Sequence, residues 1–239
     1  TEVAMLKAVE EKGLKPDVTA GLSLGEYGAL VASGVMGPED VFRVVRMRGI
    51  YMQEAVPHGG AMVAVLGLDT AVIEKICEET PGMVSVANYN CPGQIVITGE
   101  EDAINSAVEK LTEAGAKRCV TLKVSGPFHS PLLAGAGEKL AKELEQVTIG
   151  EIQVPYIANV TADYVTDKET VKGLLEKQVS SSVRWQQTIE RMIADGVDTF
   201  VEIGPGKTLS GFMRKINREM KVYNVEKIED LTKLEELIG

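Results

Sequence analysis

The run Gly21-Leu22-Ser23-Leu24-Gly25 constrains this chain more than any other stretch. It fits G-x-S-x-G, the pattern of a nucleophile elbow, in which a serine sits on a sharp strand-to-helix turn. Small neighbours let the backbone turn so tightly, and the helix that follows aims free N–H groups at any oxyanion formed at the serine. The bare pattern is weak, because glycine and serine are common turn residues. Its setting gives it weight. Pro16-Asp17-Val18-Thr19-Ala20 reads as a short strand before it, and Glu26 to Ser33 reads as a helix after it, ended by Gly34.

The rest of the chain alternates in the same way. Val3, Leu6 and Val9 mark a first helix that stops at Gly13, and Pro38-Glu39-Asp40 opens another that continues through Arg48 towards Glu54. From Pro57 to about Val124 the rhythm changes. Strands are expected at Ala61–Gly67, Met83–Asn88, Gln94–Thr98 and Arg118–Val124, and helices at Asp69–Glu79 and Glu101–Ala114. That order, βαββαβ, is the ferredoxin-like unit. Beyond it, a helix starts at Ser130-Pro131, strands are expected at Val154–Val160, Thr199–Ile203 and Lys221–Val225, and helices lie between and after them. The expected fold class is α/β: a parallel-sheet domain from residues 1–56 and 125–239, carrying an inserted subdomain at 57–124. At 239 residues the chain suits one large domain, or one domain with a smaller partner.

Charge and cysteine usage remove several functions. Lys plus Arg is 25 against 35 Asp plus Glu, a net charge of −10. Nucleic acid and an anionic membrane surface are therefore not expected partners. No apolar run approaches the roughly 20 residues that span a bilayer, and Thr1-Glu2-Val3-Ala4 lacks the basic start of a signal peptide. Cys77, Cys91 and Cys119 are far apart with no CxxC, so neither a disulfide framework nor a metal site is expected, and a cytoplasmic location fits best.

An elbow serine needs a base, and the chain offers two histidines. His129 follows an expected strand in Val124-Ser125-Gly126-Pro127-Phe128-His129-Ser130, where catalytic groups gather in α/β folds. His58, in Pro57-His58-Gly59-Gly60, reads as a solvated linker residue. Arg48 could bind a carboxylate through two donors, although an arginine taken alone is more often on a solvated helix face. Gly204-Pro205-Gly206-Lys207 lacks the P-loop spacing and reads as a tight turn before a helix. Asn88 and Asn90 read as turn chemistry around a hairpin.

Together, the segments GLSLGEYGAL, RMRGIYMQEAVP, NYNCPGQIVITG, VSGPFHS and VEIGPGKTLSGF resemble, in order and spacing, the bacterial malonyl-CoA:acyl carrier protein transacylases. The resemblance spans nearly the whole chain. It implies an α/β-hydrolase-like domain with a ferredoxin-like insertion, acting cytoplasmically in fatty acid biosynthesis as a monomer. It implies a two-step transfer from malonyl-CoA to acyl carrier protein with no cofactor. Ser23 would be the nucleophile, His129 the base and then the acid, and the Leu24 N–H an oxyanion donor. Arg48 would hold the malonyl carboxylate, and the Gln178 carbonyl would orient His129. Two departures stand out. Many members have His where this chain has Leu22. The family also begins with a strand and a loop that supplies a second oxyanion donor, so an N-terminal part is expected to be missing here.

Three other functions compete: a serine esterase or thioesterase, a polyketide-pathway acyltransferase, and a non-catalytic docking module. An esterase would place its histidine late in the chain, whereas no histidine follows His129. Phe128 resembles the malonyl-using pattern, and an intact Ser23 and His129 oppose the docking module. Arg214, Lys215 and Arg218 are expected on one helix as a basic patch for an acidic carrier protein, with positions 214 and 218 on one face.

Overall fold

The computed structural model describes residues 1–238. α1 (Glu2–Glu11) ends as expected near Gly13, whose φ of 94° suits glycine. α2 (Gly25–Ala32) is apolar nearly all round and is correspondingly buried, with Tyr27 and Leu30 sealed inside. α3 (Pro38–Ala55) starts with proline and buries Val41, Val44, Arg48 and Met52, one stripe at helical spacing that includes the arginine.

The segment between α3 and the His129 loop forms an antiparallel sheet with two helices. Its elements are β1 (Gly60–Leu66), α4 (Thr70–Glu78), β2 (Val84–Cys91), β3 (Gln94–Glu100), α5 (Glu101–Glu113) and β4 (Arg118–Thr121). The sheet order is β2-β3-β1-β4, with every pairing antiparallel. One face packs Val65, Val86, Ile95 and Ile97 against Ile73, Ile104 and Leu111 of the helices. The other carries Met62, Ala64 and Val96 against Leu122 and Phe128, next to His129. β4 stops at Thr121, short of the expected Val124, because Val124 N–H bonds back to Leu122 O and the chain turns away. Asn88 and Asn90 are buried in β2 beside register shifts, not in the turn expected for them.

The rest of the chain adds helices α6 (Ala134–Glu145), α7 (Val171–Gln178), α8 (Trp185–Ala194), α9 (Thr208–Ile216) and α10 (Glu235–Ile238), of which α6 and α7 share the core of α2. β5 (Thr199–Ile203) and β6 (Lys221–Val225) pair in parallel, where the sequence placed them. The other two expected parallel strands are not regular. Residues 16–20 and 154–160 meet at a single parallel bridge, Thr19 to Tyr156. Pro155 has no N–H to extend the ladder, and Ile157 turns to pair antiparallel with Tyr164. The antiparallel sheet shares no strand with β5 and β6, but one parallel bridge, Asn88 to Val183, ties it to this body.

Candidate active site

The Gly21–Gly25 turn leads directly into α2, though no regular strand precedes it, and it needs glycine more at one end than at the other. A Cβ on Gly21 would lie 1.9 Å from Gly25 O, so only glycine fits there, whereas a Cβ on Gly25 would meet nothing within 4 Å. Ser23 holds φ at 53° and His129 at 59°. Left-handed backbone at a non-glycine residue costs about 1–3 kcal/mol. Among the described residues only Ala162 shares the feature. The strain thus falls on the two residues that meet: Ser23 Oγ lies 2.7 Å from His129 Nε2.

The tautomer of His129 follows from its surroundings. Nδ1 lies 2.9 Å from Gln178 O and 3.2 Å from Ser181 O. Carbonyl oxygens only accept, so Nδ1 carries the proton and Nε2 is left to accept from Ser23. Burial, reinforced by the nearby Arg48 charge and opposed by the two carbonyl bonds, lowers the His129 pKa to about 4. The imidazole is therefore neutral near pH 7 and ready to take a proton. His58 is exposed, far from this arrangement in character, as expected of a linker residue.

The Ser23 N–H donates to Asn159 Oδ1 at 2.6 Å, and the Gly25 N–H to Leu22 O at 2.9 Å. Between them the Leu24 N–H has no hydrogen-bond partner among the described residues, at the mouth of α2, where an oxyanion could be received. Arg48 is 7% exposed and donates through Nη2 to Ser23 Oγ and to Gln178 Oε1, both at 3.1 Å. Its buried Nε–H has no partner among the described residues. A cavity of about 330 Å³ opens beside His129, between Ser85 of β2 and the 180–184 segment.

Three contributions were not foreseen. The Gln178 side chain bridges the site, since its Nε2 donates to Ser23 O at 2.9 Å and to Glu26 Oε2 at 2.7 Å while its Oε1 faces Arg48. Asn159 clamps the elbow from across the chain, its Nδ2 donating to Gly21 O at 2.7 Å. Glu26, one residue past the elbow, is fully buried. The sequence holds one signal for it: a lone carboxylate in the otherwise apolar GEYGALVA helix. Gly204-Pro205-Gly206 is a tight turn, as the sequence predicts, and Glu202 already accepts from the Leu209 and Ser210 N–H groups of the helix that follows, where an anion would otherwise sit.

The model of the acyl transferase domain family matches residues 1–235. The chain belongs to the acyl transferase domain family. Within it, the malonyl CoA-acyl carrier protein transacylase of Bacillus subtilis (strain 168) is 47% identical over 235 residues, covering 97% of this chain and 74% of the relative. Its counterpart in Staphylococcus aureus (strain MRSA252) is 44% identical over 232 residues, covering 95% and 75%. The crystal structure of MCAT from Streptococcus pneumoniae superposes with a TM-score of 0.95 at 48% identity, covering 99% of this chain and 78% of that one. A malonyl-transacylase solved in complex with a type II PKS acyl-carrier protein gives 0.96 at 39% identity, covering 99% and 78%. This acyl transferase chain therefore spans about three quarters of the length of such relatives. Among its described residues, no helix is long and apolar enough to cross a membrane, and no three His, Cys, Asp or Glu side chains are grouped to hold a metal.

Proposed function

We propose that this acyl transferase moves a malonyl group from malonyl-CoA to the phosphopantetheine thiol of acyl carrier protein, in the cytoplasmic synthesis of fatty acids, as a monomer and without a cofactor. The observation that carries the reading is the buried Arg48 guanidinium 3.1 Å from the Ser23 hydroxyl. A cation so close to the nucleophile suits an acyl group that ends in a carboxylate. The names of the relatives support the substrate and the carrier.

In the first half-reaction Ser23 Oγ attacks the thioester carbonyl while His129 Nε2 takes its proton. The Leu24 N–H stabilises the oxyanion. The C–S bond then breaks, His129 returns the proton to the departing CoA sulfur, and a malonyl ester remains on Ser23. In the second half the carrier thiol gives its proton to His129 and attacks the ester, and Ser23 recovers its proton as the new thioester leaves. The Gln178 and Ser181 carbonyls hold the imidazole throughout, the role a carboxylate has in other serine triads. We read residues 1–56 and 125–239 as an α/β-hydrolase-like catalytic domain and 57–124 as a ferredoxin-like subdomain. The parallel β5–β6 pair and the β2-β3-β1-β4 order support this.

Intact-protein mass spectrometry after incubation with malonyl-CoA tests the reading. One malonyl group should add, and none in Ser23→Ala. Arg48→Ala should lose malonyl loading while keeping or gaining acetyl loading from acetyl-CoA. Equal loss of both acyl groups would make Arg48 structural and leave the carboxylate specificity unsupported.

A further inference from the structure

Glu26 is a buried carboxylate beside the site that the two-step transfer does not use. It is 0% exposed. Its Oε2 accepts from Gln178 Nε2 at 2.7 Å and from the Asn159 N–H at 3.3 Å, while its Oε1 is buried with no partner among the described residues. Among the described residues Arg48 makes no ion pair with it within 4.0 Å. The Gln178 amide stands between the two, oxygen towards the guanidinium and nitrogen towards the carboxylate.

The charge count around Glu26 is short. Arg48 on α3 is the cation that faces it. Tyr27 on its own helix and Tyr156 on the 154–160 segment face it as phenols, and burial raises both of their pKa values, so they stay neutral. His129, on the far side of Ser23, is also neutral. An ionised Glu26 therefore balances Arg48, and the buried group as a whole is neutral. A malonyl carboxylate arriving at Arg48 brings a second negative charge to a single cation. Two carboxylates sharing one site rarely both ionise, and the one without further donors takes the proton. Oε1 of Glu26 has none. Burial already lifts the Glu26 pKa to about 7, so little more is needed.

We propose that Glu26 is the counter-charge of Arg48 before the acyl group binds, and that it takes up a proton from solvent at Oε1 when the malonyl carboxylate replaces it. Glu26 is then a positioning residue, acting through Arg48. Malonyl binding is coupled to proton uptake, and acetyl binding is not. This rests on the reading of Arg48 given above.

Isothermal titration of the Ser23→Ala protein, which cannot load, counts the protons in paired buffers of different ionisation heat. Near pH 7.5 malonyl-CoA should take up a fraction of one proton, and acetyl-CoA or CoA, which carry the same phosphates, none. Malonyl-CoA affinity should fall by up to about tenfold per pH unit above pH 7, as one coupled proton requires. Adding Glu26→Gln should abolish both effects. Malonyl binding without uptake, or uptake that persists in Glu26→Gln, overturns the proposal. Should that variant not fold, infrared difference spectra of the malonyl-loaded wild type must gain a protonated carboxyl band, and its absence is equally fatal. Failure of the Arg48 reading looks different: malonyl-CoA would then bind no better than acetyl-CoA at any pH.

Discussion

The antiparallel unit between Gly60 and Thr121 and the body around α2 bury different chemistry. Inside the unit, the buried side chains are aliphatic or small, and the polar ones among them, Thr80, Asn88, Asn90 and Thr98, carry no charge. The body buries Glu26, Arg48 and His129 side by side, with Gln178 and Asn159 joining them. Burying charge is unfavourable unless every partner is in place. The body therefore holds a preorganised electrostatic site at some expense of stability, whereas the unit's two-helix core contributes packing. Each region fails differently when it is cut.

The largest effect should come from the body. His129→Ala removes the group that moves both protons of the transfer, and activity should fall by about six orders of magnitude, the scale seen when the histidine of a serine triad is removed. Steady-state transfer to carrier protein measures it, and thermal unfolding should show the variant folded. His58→Ala, in the exposed linker, should match wild type. A large loss from His58 instead would reverse the comparison.

The unit should respond in stability instead of rate. Ile97 is 0% exposed, at the centre of β3 and packed among the α4 and α5 side chains. Ile97→Ala should lower unfolding free energy by about 2–5 kcal/mol, the range for buried aliphatic truncations. Denaturant midpoints measure the loss. Turnover per folded molecule should stay near wild type, because no described hydrogen bond of the Ser23 cluster comes from the unit. A proportionate fall in turnover would show that the sheet face under Phe128 holds the His129 loop.

The same division governs what could be read from the sequence. In the unit, α4, α5, β1 and β3 lie within one or two residues of expectation, because local alternation and helical spacing set their pairing. In the body, residues 16–20 and 154–160 carry strand-like composition but share only one bridge with each other, as the one leads into the elbow and the other delivers Asn159. Ser23 and His129 were legible from motif and scarcity. Arg48 was legible a second way, through its place between Val44 and Met52 on the buried stripe of α3. Glu26 and the Gln178 side chain were not, because a glutamate in the first turn of a helix normally looks outward and complements the helix dipole. Only long-range folding shows that this one is enclosed.

The buried titratable groups also predict how stability depends on pH. Glu26 titrates at about 7 in the folded protein against 4.5 ordinarily, so its contribution to stability falls as pH rises through that window. His129 titrates at about 4 against 6.5, so its contribution falls as pH drops through its own window. The two slopes, each up to about 1.4 kcal/mol per pH unit, oppose one another across the overlap. Glu26→Gln removes one of them. Its stability should decline from pH 6.5 towards 4.5 more steeply than that of wild type, by up to about 1.4 kcal/mol per pH unit. Urea melts at several pH values measure the difference. Parallel curves would mean that the two groups are not displaced in opposite directions.

The smallest effect concerns a basic patch where the two regions touch, the expected docking surface for the carrier. Arg214 and Lys215 are exposed in the last turn of α9, and Lys215 reaches Gln94 at the start of β3, at 3.1 Å. Arg218 is exposed too, but it lies beyond the helix, which ends at Ile216, so the shared helical face expected for positions 214 and 218 does not exist. The patch that remains is Arg214 and Lys215, with Arg218 in the following turn. Against a net charge of −10, an acidic carrier is repelled at long range and gains attraction only close to such a patch. Exposed charges of this kind act mainly on encounter rate, each contributing less than about 1 kcal/mol. Arg214→Glu with Lys215→Glu should therefore raise KM for the carrier several-fold at low salt, with the difference shrinking as salt is added. Malonyl loading from CoA, followed by mass, should be unchanged, because it uses the buried cluster and not this rim. An unchanged carrier KM even at low salt would remove α9 from the docking surface. A parallel fall in loading would mean that the Lys215 contact to Gln94 holds the two regions in register, and that the unit and the body are less independent than their cores suggest.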